Sequence, residues 1–152
     1  MKEALIHLFH RDLLRLKSEL QAYKNHVAIW TVAKEVNNSS GNLALHLIGN
    51  LNTYIGSILG QTGYVRDRDK EFTEKGITLD SLMSQIDDTY RMIHKVLSSM
   101  TEKDFQEKYP VEVFEEQEMT VEFFLIHLFG HLDYHLGQIS YHRRLFDSGL
   151  SG

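Results

Sequence analysis

Cysteine is missing from the chain and proline occurs once. The first absence excludes disulfides, zinc ribbons and a cysteine nucleophile. The second, with little apolar–polar alternation, points away from strands and towards an all-α fold. No run of apolar residues reaches the ~18 that a membrane span needs. The first residues, MKEALIHLFHRDLLRL, are amphipathic and charged throughout, unlike a signal peptide. No cluster of basic residues occurs and the net charge is −5, which disfavours nucleic-acid binding. A cytoplasmic protein that binds neither membrane nor nucleic acid is the expectation. Internal repeats and low-complexity stretches are also lacking.

What remains is ordinary for a globular domain: 152 residues, 42% hydrophobic and 24% charged. That length fits a single domain, 1–152, with a sizeable core. Four long helices are expected. The first runs from Lys2 to about His26, with Leu5, Ile6, Phe9, Leu13, Leu16, Leu20 and Tyr23 as its apolar stripe. The second runs from near Ser40 to about Leu59, on Leu43, Leu47, Leu51, Tyr54, Ile55 and Ile58. The third follows Thr78 as N-cap and ends near Met100. The fourth covers Thr120 to about Asp147. Between the second and third, two arginines alternate with two aspartates in RDRDKEF, which reads as a solvated loop. Between the third and fourth, Thr101 and Asp104 can open a short helical turn, and VEVFEE can form a brief extended piece across the bundle end. Helices with one apolar stripe each bury those stripes against one another, so the fold class is all-α, a four-helix bundle with long second and third connections.

Nine histidines stand out, and two of them most. His131 and His135 are four apart, one turn along the same helix face, with Cβ atoms roughly 5–6 Å apart. Both imidazoles can then reach one metal ion. A face centred on His131 also carries Phe124, Leu128, Ile139 and Phe146, together with His127, Gln138 and His142, and so reads as the inward face. A bare H-x-x-x-H is a weak sign, because core histidines bonded to a neighbour are common. Residue 132 is Leu, so no H-E-x-x-H exists and a zincin-type protease has no support. A third ligand would have to come from another helix. His46 sits at the edge of the second helix's arc, among Asn42, Asn50, Thr53 and Ser57. That strip is either an ordinary solvent-facing surface or the wall of a cleft into which His46 reaches. His127 reads as a packed core histidine or, one turn before His131, as a hydrogen-bond donor to the site or part of a cleft wall; His142 reads as structural or at a subunit contact, and Gln138 as orienting a ligand or bonding backbone. His7, His10 and His94 lie off the apolar stripes. Asp12, Glu35 and the acidic stretch before Thr120 are possible bases that nothing places near the pair.

Three pieces, HLIGNL from His46, RDRDKEF from Arg66 and HLDYHLGQI from His131, resemble the DinB/YfiT-like superfamily of four-helix bundles, and more narrowly its DUF1572 branch. The resemblance covers nearly the whole chain. It implies a divalent metal held by one histidine on the second helix and an H-x-x-x-H on the last, which match His46, His131 and His135. Gly137 and Gln138 match the Gly-Gln that follows the last ligand. Leu136 departs from the pattern, since many relatives carry arginine there. Three neutral imidazoles leave an open position on zinc, nickel or another late first-row ion, the arrangement of a catalytic rather than a structural site. Such an ion lowers the pKa of a water or a thiol that it binds. Relatives in the wider superfamily imply a thiol-dependent S-transferase using a low-molecular-weight thiol, with Asn42, Thr53 and Ser57 leaving room for it. The alternatives are a non-catalytic metal-stabilised binding protein and a hydrolase that activates water. The resemblance also implies a homodimer.

Overall fold

The computed structural model describes residues 1–33, 35–114 and 118–147, and among them the chain is all-α. Helix α1 spans Lys2–Gln21 and buries Leu5, Ile6, Phe9, Leu13, Leu16 and Leu20. It stops short of His26. Asp147, at the far end of the chain, accepts hydrogen bonds from the backbone N–H groups of Lys24 and Asn25 at 2.7 and 2.9 Å, and so fixes a turn there. A 3₁₀ turn, His26–Trp30, follows, capped by the Asn25 side chain.

Helix α2, Ser40–Leu51, is capped by Ser39 and buried on every side. It continues as a π-helix, Asn52–Leu59. The register widens where Asn52 and Thr53 return side-chain hydrogen bonds to the carbonyls of Ile48 and Gly49. A short helix α3, Arg68–Thr73, capped by Asp67, covers the outer side of α2. Helix α4 spans Leu79–Ser99, with Thr78 as its N-cap. Helix α5, Glu102–Gln106, opens on a reciprocal capping box between Thr101 and Asp104. Helix α6, Val121–Phe146, is capped by Thr120. Helices α1 and α2 each pack against both α4 and α6, around one core. No helix among the described residues is long and apolar enough to cross a membrane.

Three local expectations are corrected. RDRDKEF is not a loop, because Asp67 caps α3 and Glu71 is buried. Of the two readings of the polar strip, the solvent-facing one fails at Asn42 and Asn50, which are buried, while Thr53 and Ser57 on the π-helix are half-buried. Residues Val111–Phe114 form no strand; the connection is tied back instead by Tyr109 N–H to Met119 O and Val121 N–H to Glu107 O. Glu115 and Glu116, the rest of that piece, lie outside the described residues.

Candidate metal centre

Helix α6 buries Val121, Phe124, Leu125, Leu128, Leu132, Leu136, Ile139 and His142. That stripe is rotated from the one centred on His131. His131 and His135 therefore flank the core, half-buried, instead of sitting in its centre. The rotation also places Leu136 inside, where an apolar residue packs. His46 comes from α2 across the seam. Its Nε2 lies 3.2 Å from Nε2 of His131, which lies 3.1 Å from Nε2 of His135. Ligand nitrogens of all three residues fall within 4.8 Å of one another, a group that can hold a metal ion.

The opposite ring nitrogens explain the orientation. His46 Nδ1 lies 3.0 Å from Glu71 Oε1. Arg66 forks onto the same carboxylate, Nε to Oε2 and Nη2 to Oε1, both at 2.7 Å. Arg66 Nη2 also lies 3.3 Å from His46 Nδ1. The carboxylate is the nearer partner of both groups, so His46 Nδ1 carries a proton and donates it to Glu71. His135 Nδ1 likewise donates to Oε1 of Gln138 at 2.7 Å. Both imidazoles then present an Nε2 lone pair to the same point. For a tetrahedral ion with Zn–N of about 2.0–2.1 Å, neighbouring nitrogens stand about 3.3–3.4 Å apart. The 3.1–3.2 Å separations are close to that edge. The donor set fits a late first-row divalent ion. Imidazole–carboxylate pairs such as His46–Glu71 are how proteins commonly orient metal-binding histidines.

The electrostatics favour the same state. Burial, and then the neighbouring imidazoles His135 and His46, push His131 down to about 4. Burial lowers His135 too, against the opposing Gln138 hydrogen bond. Burial disfavours the charge on Glu71, but the hydrogen bonds from Arg66 and His46 outweigh it and hold the carboxyl below its usual value. The rings of His131 and His135 are thus held neutral, as coordination requires.

A cleft of about 350 Å³ opens beside the histidines, lined by His46 and His131 among others. Two buried polar atoms on its lining residues have no partner among the described residues, Nδ1 of His131 and Oδ1 of Asn50. His127 is exposed, contrary to the packed-core reading. It stacks on Phe124 and meets the edge of Phe114 at the cleft wall. His142 is structural, bonded to the Tyr23 hydroxyl at 2.6 Å and the Thr31 carbonyl at 2.8 Å. Gln138 bonds a ring, not backbone. Asn42 is not free for a cosubstrate, since its amide donates to the carbonyls of Glu71 and Glu74 and clamps α3 onto α2. Thr53 bonds Gly49 O. Asp12 is committed to Arg11 and Arg15, and Glu35 lines a different cavity. Glu71 and Arg66 are the site residues that sequence reasoning missed. The signal for Glu71 was an acid spaced to follow its own N-cap, Asp67, on a helix short enough to pass for a loop.

An all-α chain with three imidazoles gathered from two helices is a candidate metalloprotein. It belongs to the family described as a protein of unknown function, DUF1572, whose pattern matches residues 11–149. No curated protein matches the chain.

Proposed function

We propose that His46, His131 and His135 bind one divalent metal ion, zinc or nickel, in a DinB/YfiT-like four-helix bundle, and that the protein is a thiol-dependent S-transferase. The observation that carries the metal reading is the convergence of the Nε2 atoms, two of them oriented by acceptors on Nδ1. Loaded with three neutral protein ligands, the ion keeps room for one more and supplies thiolate from a thiol whose ordinary pKa is about 8.5. The chain holds no cysteine, so the sulfur comes from a cosubstrate. The cleft along His46 and His131 gives that cosubstrate a way in, which favours an enzyme over a closed, metal-stabilised bundle. His46 is held by Glu71 and Arg66 throughout, while His135 is held by Gln138 at the exposed side.

Titration of metal-free, untagged protein with zinc and with nickel tests the ligand assignment. One ion per chain is expected, with binding lost or strongly weakened in His131→Ala; equally tight binding by the variant contradicts it. Bacillithiol, mycothiol, coenzyme A and glutathione, each offered to the loaded protein with a generic electrophile, test the reaction. A rate that disappears in His135→Ala supports transfer. If no thiol reacts faster than with the variant, a hydrolase that activates water or a non-catalytic binding protein takes its place.

The protein also forms a homodimer in this reading. Helix α6 leaves Phe123, Ile126, Tyr134, Tyr141 and Leu145 exposed along one side. A second copy of the same helix covers such a stripe under two-fold symmetry.

A further inference from the structure

We infer that the cleft beside the histidines is a receptor for a small aromatic carboxylate bearing a hydrogen-bond donor. This deepens the metal reading and depends on it only where the ligand also reaches the ion. Among the described residues the charged side chains that line the cleft are cations, although the chain carries a net charge of −5. Arg66 and Arg68 line it, and no Asp or Glu does among the described residues. Arg66 is neutralised by the two-point pair with Glu71. Arg68 is exposed and makes no ion pair among the described residues; its guanidinium lies 5.7 Å from the centre of the Phe72 ring. An unpaired planar guanidinium at the mouth of a 350 Å³ cleft matches the two oxygens of a carboxylate. One such group suits a monoanion; a phosphate dianion would call for more cations than Arg68 alone.

The remaining walls describe the rest of the ligand. Phe114 and His127, both exposed, stand over the fully buried Phe124 and form an aromatic corner. His127 lies 4.9 Å from Phe114 and 5.7 Å from Phe124, and the two phenyl rings are 6.4 Å apart, between centroids. Such a corner takes a flat apolar body by stacking and edge contacts. Asn50 lines the same cleft, is only 8% exposed, and its amide oxygen is buried without a donor. A ligand N–H that reaches this oxygen removes the cost of leaving it unsatisfied. Cation, aromatic corner and lone acceptor thus surround one cavity that ends on His46 and His131.

The probe that carries all these features is N-(mercaptoacetyl)phenylalanine, with its primary amide as the uncharged counterpart. Calorimetry on zinc-loaded protein is expected to show the acid binding about tenfold or more tightly than the amide. In Arg68→Gln the ratio falls to within about twofold at unchanged zinc content. Arg68 is exposed, and a circular-dichroism spectrum and melting temperature equal to the wild type's are expected of this variant. A second pair, N-acetylphenylalanine and its amide, lacks the thiol and is measured on metal-free protein. Failure of zinc to bind overturns the metal reading alone, and an acid preference in this second pair still upholds the anion receptor. The receptor is overturned by an acid-to-amide ratio near one in the wild type with both pairs. Undetectable binding of all four probes, or a preference that survives in Arg68→Gln, overturns it equally.

Discussion

Glu71 shows how much depends on one side chain. It is buried, held ionised by Arg66, and its contact fixes the ring of His46. Glu71→Gln keeps the shape and removes the charge. Zinc affinity is expected to fall about 10–100-fold, the usual effect of losing such an outer partner; competition against a chelator measures it, and an unchanged affinity contradicts the role. His131 makes a pH prediction. Its folded pKa is about 4, below the ordinary 6.5, so between these values the unfolded chain binds the extra proton. The metal-free protein therefore loses stability as pH falls from about 7 to 4, by at most about 3 kcal/mol, and gains none above pH 7. Urea unfolding at several pH values should show a shallower slope in His131→Asn. At this scale the sequence made His131 and His135 visible, because spacing on one helix is local. For His46 the pattern left a solvent-facing strip and a cleft wall both open, and only family resemblance chose the ligand reading, since its meeting with them is a matter of packing. Glu71 stayed hidden because its partner is 25 residues away.

Among the elements, α3 acts as a latch on α2. Gly49 makes the close approach possible: a Cβ placed there would stand 1.9 Å from Oε2 of Glu71. Gly49→Ala is expected to cost about 1–3 kcal/mol of stability by overpacking and to weaken zinc binding in step with Glu71→Gln. Thermal unfolding and the chelator assay read the two effects; an alanine variant with native metal affinity would mean that α3 does not position His46. The ends of α4, α5 and α6 were readable because Thr78, Thr101 and Thr120 are capping residues with a side-chain acceptor at the right place. The face of α6 was not, because histidines and leucines alternate around it and an apolar period admits two neighbouring stripes. The π-helix was invisible too: it depends on which carbonyls Asn52 and Thr53 occupy, and no hydrophobic period records that.

For the molecule as a whole, α6 joins the metal centre on one side to an exposed apolar stripe on another. Light scattering at micromolar concentration is expected to give twice the chain mass of 17.7 kDa, and Ile126→Glu should return it to one chain with the metal still bound. A single-chain mass for the wild type at every concentration contradicts the dimer. The all-α class was legible from composition and periodicity; the order in which the helices meet was not, since two long connections permit several packings. The account turns on a metal with three histidines and a place to spare. X-ray absorption at the zinc edge, on untagged protein loaded with one equivalent, tests that most directly. The account predicts three imidazole nitrogens at about 2.0–2.1 Å with one further light atom that a thiol replaces, adding a sulfur at about 2.3 Å. A shell of four protein ligands that ignores added thiol, or the same three-imidazole spectrum in His46→Ala, would contradict it.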